Sequence, residues 1–151
     1  MEAGVRFPLG ALKNLIFLIF LFSCNQVYKS EYSQKLLESV SRGELSKTKD
    51  FINKGADINI KNNNGKTPLH IAVENEYEDI VKLLLEKNVD VNIKDNEGNT
   101  PLHKAVKNGN YFIIKELLKF GADKNIKNNE GKTPFDLAKE LGDDEILKLF
   151  K

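Results

Sequence analysis

Tryptophan is absent from this 151-residue chain, and cysteine occurs once, at Cys24. A single thiol permits no intrachain disulfide and no thiolate-based metal site. Arginine occurs only at Arg6 and Arg42, so a surface of bidentate guanidinium forks for phosphates or bases cannot be assembled. Neither sign of charge is in excess: 23 Lys and Arg stand against 22 Asp and Glu, a formal net charge of +1. That balance gives no electrostatic pull toward nucleic acid. The GKT at 65–67 and 131–133 lacks the upstream glycine and the residue order of a phosphate-binding loop. No nucleophile is paired with a base and an orienting group. The chain is therefore read as a non-enzyme, with no cofactor, metal, nucleic acid or small-molecule substrate expected. Apolar residues make up 40% of it, enough for the core of one domain behind a leader.

Long apolar runs are also missing. Leu15–Phe22, with eight residues, falls well short of the roughly 20 that a spanning helix needs. Arg6 and Lys13 precede this run, and Ser23 and Cys24 follow it before the sequence turns polar. Basic region, apolar region, small residue and cut site is the order of a secretory signal. LFSC at 21–24 resembles the lipobox of bacterial lipoproteins: Leu21 and Ser23 match, while Phe22 is larger than the residue usual there. The resemblance implies removal of 1–23, a lipid on the Cys24 sulfur, and anchoring to a bacterial cell envelope. Two or more acyl chains, at about 0.8 kcal/mol per buried CH₂, give a stable anchor. A plain signal peptide, giving a secreted or periplasmic soluble protein, and an uncleaved anchor are the alternatives. After cleavage 21 charges of each sign would remain, and residues 24–33 would form a short polar tether.

The rest of the chain repeats itself. KTPLH at 66–70 returns as NTPLH at 99–103 and as KTPFD at 132–136, each 33 positions on. Gly65, Gly98 and Gly131 keep that spacing, as do Ala72, Ala105 and Ala138, and Asp57, Asp90 and Asp123. Each threonine suits an N-cap, and each proline suits the first helical position. Leu69, Ala72 and Val73 then form a short inner helix; Ile80, Val81 and Leu83–Leu85 form a more apolar second one. Gly55 and Gly121 supply the left-handed residue that ends it, and Asn88 stands in for them once. One such helix pair cannot bury its apolar face alone, so copies must stack. The openings NGKTPLHIAVEN, EGNTPLHKAVKNGN and EGKTPFDLAKELGD, and the closings IVKLLLEKNVDVN and IIKELLKFGADKN, resemble the ankyrin-repeat family over about 34–151. The implied fold is an all-α ankyrin solenoid of about four units, 34–61, 62–94, 95–127 and 128–151. Lys47 and Thr48 replace the apolar pair Ile80 and Val81 in the first unit, as a polar outer face would require.

The resemblance also implies a role: binding a protein partner through the turn tips and inner helices. The matching residues are Asn63, Asn64 and Lys66, then Asn96, Glu97 and Asn99, then Asn129, Glu130 and Lys132 at the tips. On the inner helices they are Ser41, Arg42, Glu74, Asn75, Lys107, Asn108, Glu140 and Leu141. Tyr77, Tyr111, Phe112, Phe120 and Leu141 lie where repeats often carry polar or smaller residues, and aromatics are enriched at binding hot spots. Phe112 and Phe120 are the expected exposed contacts; Tyr111 is expected to lie against a neighbouring repeat. Lys107 and Phe112 form the pair whose joint substitution should weaken capture of a partner. His70 and His103, the only histidines, are expected to bond within their own turns rather than bind metal. Two other roles remain open, inhibition or protection of a specific enzyme or toxin, and a structural place in the envelope.

Overall fold

The computed structural model describes residues 9–151, apart from the side chains of 9–12 and of Cys24. The beginning of the expected leader, Arg6 included, and the Cys24 sulfur lie outside the described residues. Eight helices and no strand occur among the described residues. They are α1 (Leu9–Ser41), α2 (Leu45–Asn53), α3 (Pro68–Glu74), α4 (Glu78–Glu86), α5 (Pro101–Asn108), α6 (Tyr111–Lys119), α7 (Pro134–Leu141) and α8 (Asp144–Lys148). The repeat end of α1 packs on α3, α3 on α5 and α5 on α7, forming an inner row. The outer helices α2, α4, α6 and α8 stack alongside in the same order. The result is the four-unit helical solenoid that the repeat implies.

Local chemistry sets each start and stop. Thr67, Thr100 and Thr133 are extended, and a proline follows each as the first helical residue. The outer helices end where Gly55, Asn88 and Gly121 take positive φ of 86°, 55° and 88°. Inside the stack, one position repeats one contact. Leu36, Leu69 and Leu102 are fully buried, as are Ala72, Ala105 and Ala138. The alanines carry only a methyl, which lets neighbouring inner helices approach closely. Ile80, Ile113 and Ile146 fill the matching gap between outer helices.

One expectation needs correction. Thr48, read as part of a polar outer face, is fully buried. Its hydroxyl donates to the Glu44 carbonyl at 3.0 Å and meets the Ser39 hydroxyl at 3.1 Å. A small hydroxyl whose bonds are all made inside can be buried at little cost. Residues 24–33, read as a short polar tether, lie within α1. The ordering has visible causes: Tyr28 stacks on Tyr32 at 6.5 Å, and Tyr32 on Phe51 of α2 at 6.3 Å. Lys54 lies 5.8 Å from the Tyr32 ring, and the Ser33 hydroxyl accepts from the Asp57 N–H at 2.8 Å. Upstream, every side chain of Leu15–Phe22 is exposed. Among the described residues no helix is long and apolar enough to cross a membrane.

The turn glycines divide into two kinds. A Cβ on Gly98 (φ 75°) would fall 2.7 Å from the Asn129 backbone N, whereas one on Gly55 would meet nothing within 4 Å. Gly55→Ala should therefore cost only the left-handed penalty, about 1–2 kcal/mol. Gly98→Ala should cost roughly 2–4 kcal/mol, because the collision adds to that penalty. Urea unfolding of the two variants checks the order; equal losses would contradict the close approach.

Candidate functional site

The site is built on the clamp that starts each inner helix. The Thr67 N–H donates to His70 Nδ1 at 3.2 Å, and the Thr67 hydroxyl lies 2.9 Å from the same nitrogen. Two donors converge there, so Nδ1 is the acceptor and Nε2 carries the proton. Nε2 then donates to the Asn99 carbonyl of the next unit at 3.0 Å. His103 repeats the arrangement, with Nδ1 2.9 Å from the Thr100 hydroxyl and Nε2 3.1 Å from the Lys132 carbonyl. Sequence reasoning anticipated the bonds within the turn but not the reach into the next unit. Burial, only partly offset by the bond to the next unit's carbonyl, lowers the pKa of both rings. In the last unit the Asp136 carboxylate accepts from the Thr133 N–H at 3.1 Å. It caps the helix as a histidine would, with nothing to donate onward.

The turn tips are tied together at the same period. The Asn96 amide donates to the Asn63 carbonyl, and the Asn129 amide to the Asn96 carbonyl, both at 3.0 Å. Asp57, Asp90 and Asp123 accept from backbone N–H groups two residues on, as their turn positions imply. Asn59 and Asn92 accept from the N–H groups of Asp90 and Asp123 in the following units. Asn99, a candidate contact, is only 1% exposed. Its amide donates to Glu97 and its side-chain oxygen accepts from Asn128, so it braces the turns and faces no partner.

Along the inner helices most nominated charges are already paired. Lys66 meets Glu74 at 2.7 Å, and Lys132 meets Glu140 at 2.9 Å and Glu130 at 3.9 Å. At the centre is Lys104, which sequence reasoning missed. It is 9% exposed and contacts Glu97 at 2.9 Å, Asp95 at 3.1 Å and Glu74 at 3.3 Å. Burial opposes the charge on Lys104, but these three carboxylates outweigh it and hold its pKa well above the ordinary lysine range. Burial likewise works to raise Asp95, yet Lys104 and the Asn99 N–H hold it below its usual value. The signal was present: Lys104 occupies the register of Ile71 and Leu137, both nearly buried. Asn75 and Asn108 donate their amides to helix carbonyls. Asn63, Asn64, Lys107 and Leu141 remain exposed.

The expected apolar contacts exchange places. Phe112 is half-buried against the core, with Lys82 4.6 Å from its ring centre. Tyr111, expected to lie against a neighbour, is 44% exposed. The first residue of α6 is exposed and the second leans back toward α4, while Lys107 is exposed. Phe120 is exposed at the far end of α6, and Tyr77 is half-buried over Gly43.

A family model for ankyrin repeats in three copies matches residues 12–95, 36–128 and 88–151. Over 59 residues, 38% of the chain, there is 36% identity to ankyrin repeat domain-containing protein 49 of Drosophila melanogaster. That match spans only 27% of the Drosophila protein. Over 63 residues, 42% of the chain, there is 29% identity to an ankyrin repeat protein of Rickettsia felis, matched along its whole length.

Two measurements test this chemistry. Both histidines have folded pKa values below the ordinary 6.5, so the unfolded chain binds more protons as the medium turns acid. Their contribution should be fully present above about pH 6.5 and be lost as pH falls below it. Urea unfolding should show stability level from pH 8 to 7 and declining toward pH 5. The variant carrying His70→Gln and His103→Gln should be weaker at pH 7 and lose that slope. Lys104→Met should cost about 3 kcal/mol, since it strands the Asp95 charge; adding Asp95→Asn should recover part of the loss.

Proposed function

From the premise that the chain belongs to the ankyrin-repeat family, we propose that it is a protein-docking module held at a bacterial envelope membrane by a lipid on Cys24. Ankyrin repeats are non-catalytic modules of protein–protein interaction, which is the coarse level of this reading. The observation that carries it is the state of the inner-helix face. Its tips are bonded to one another across units, and most of its charges are paired within their own unit, before any partner arrives. A face already ordered loses little conformational freedom on binding, so more of the contact energy goes into affinity. Those bonds also keep the solenoid curved as one body, which suits an extended concave surface.

Support for the tether lies at the other end. Eight consecutive apolar side chains, Leu15–Phe22, are exposed on all sides of α1, and the only cysteine follows at the apolar-to-polar boundary. A helix apolar on every side suits removal as a leader or immersion in lipid better than exposure to water.

One experiment separates the two parts. The N-terminal peptide of the protein, isolated from its native membrane fraction, should have the mass of a chain beginning at acylated Cys24. An intact leader or an unmodified Cys24 would remove the lipid tether and leave the docking module in place. Cross-linking in the same fraction should join a protein to the inner-helix side; cross-links confined to the outer helices would contradict the docking face.

A further inference from the structure

The two edges of the stack differ in charge. Long turns, residues 54–67, 87–100 and 120–133, join each outer helix to the next inner helix and make one edge; the short turns inside the units make the other. On the long-turn edge Lys61, Lys87, Lys94, Lys124 and Lys127 are exposed, and none has a carboxylate at ion-pair distance among the described residues. Hydrogen bonds set three of them in one row. The Lys61 ammonium donates to the Lys94 carbonyl at 3.0 Å, and the Lys94 ammonium to the Lys127 carbonyl at 2.7 Å. A carbonyl engages one of an ammonium's three donors and leaves its charge in place. The unpaired acids of this edge are Glu86 and Asp57, Asp90 and Asp123, the last three accepting from turn N–H groups. On the short-turn edge Glu76, Glu78, Asp79, Asp143 and Asp144 are exposed without a cation at ion-pair distance, and Lys107 alone opposes them among the described residues. The unpaired groups leave the short-turn edge clearly negative and the long-turn edge slightly positive.

The apolar part of α1 leaves the stack through the positive edge. Lys35 stands at the register of Pro68, so residues 9–34 run on beyond the start of the other inner helices. Two contacts fix that exit to the first long turn: the Ser33 hydroxyl accepts from the Asp57 N–H, and Lys54 lies 5.8 Å from the Tyr32 ring. From position 24 to Ser33 the helix rises about 14 Å. A headgroup layer is about 5–8 Å deep, and charges act through physiological salt over about 8–10 Å. A membrane that holds position 24 therefore brings the long turns within reach of its surface charge. Val27 and Tyr28, between the two, are 66% and 55% exposed, and a tyrosine suits the headgroup level. Phe120, on the same edge, is exposed beneath the Lys119 ammonium at 5.5 Å, an apolar ring and a charged tip that suit the same boundary.

We propose that the long-turn edge lies along an anionic lipid surface, that of the membrane holding α1, with Lys87, Lys94, Lys124 and Lys127 meeting lipid phosphates. The inference rests on the membrane reading above and gives the solenoid its orientation there. The inner helices share one direction in their row, so the long turns of successive units come to the surface together. Lysines without an internal carboxylate gain by meeting phosphate, since no partner inside the chain competes for them. The same surface repels Glu76, Glu78, Asp79, Asp143 and Asp144, which turns the short-turn edge outward. The inner-helix face is then left open at the side, where a protein partner can reach it.

The test uses the full chain, which has no tryptophan of its own. Phe120→Trp reports the long-turn edge and Tyr111→Trp the short-turn edge, and both rings are exposed. Each variant is reconstituted from detergent into vesicles of phosphatidylglycerol or of phosphatidylcholine carrying a dansyl-labelled headgroup. In phosphatidylglycerol, energy transfer to the headgroup should be at least about twofold greater from position 120, since the two positions lie about 14 Å apart along α6. That excess should shrink in phosphatidylcholine, in high salt, and when Lys87→Glu and Lys127→Glu are added together. Unlike Lys61, Lys94 and Lys124, these two lysines donate to no protein atom among the described residues. Thermal unfolding should therefore be unchanged, and Lys87→Gln with Lys127→Gln should give the same effect at smaller size. Equal transfer from the two positions, or an excess unchanged by lipid or by charge reversal, would overturn the proposed contact. Chains that fail to float with phosphatidylglycerol vesicles would overturn it together with the membrane reading of α1. The N-terminal peptide mass is read on the same protein, so an unmodified Cys24 beside the expected excess would remove the lipid tether alone.

Discussion

Neutral imidazoles join the second unit of this solenoid to the third and the third to the fourth. His70 receives two donors from its own Thr67, which closes the helix start, and spends its remaining proton on the Asn99 carbonyl of the following unit. His103 does the same with Thr100 and Lys132. Local order and the stack therefore depend on one ring in one protonation state. A second proton would sit on Nδ1 and point at the donors that Thr67 aims there, so charging the ring breaks the cap and the join together. The rows of buried leucine, alanine and isoleucine supply most of the burial energy, but apolar contacts tolerate sliding. The imidazole bond, with the Asn59 and Asn92 bonds in the turns, sets the register at which those rows meet.

What the stack leaves on its surface follows from the same economy. A side chain near a turn tip or inner helix has neighbours within its own unit and one unit away, and most polar ones use them. Lys66, Lys132, Glu74, Glu97, Glu130 and Glu140 are candidates by position, yet each is engaged with a partner inside the chain. Such pairs hold the face in shape more than they advertise charge, since exposed ion pairs contribute little to stability.

The two ends of the stack solve different problems. In unit four Asp136 caps its helix without a donor to pass on, and Lys139 lies 4.4 Å from the ring of Phe135. Phe135 occupies the row of Leu36, Leu69 and Leu102, and is 37% exposed where they are fully buried. The cation over its face and the Phe150 ring 5.8 Å away give this aromatic partial cover. At the first unit the inner helix runs unbroken from the upstream apolar segment, and the Tyr28–Tyr32–Phe51 stack braces it against α2.

The 33-residue spacing of Thr, Pro, Gly and Ala by itself determined the helix starts, the left-handed stops, the number of units and the solenoid, because each depends on local conformation repeated at a fixed interval. Asn88 could be read as a stand-in for glycine for the same reason. The sequence also nominated a candidate face by its register in the repeat. It could not say which residues on that face are free, since that depends on atoms one repeat away. Asn99 looks like an exposed tip residue and is buried; Lys104 looks like a solvated lysine and sits among three carboxylates; Tyr111 and Phe112 differ by one position and by about 100° around a helix, enough to exchange exposure for contact. The tertiary structure decided these points, because burial and pairing are set by the neighbouring unit and not by the residue's own segment.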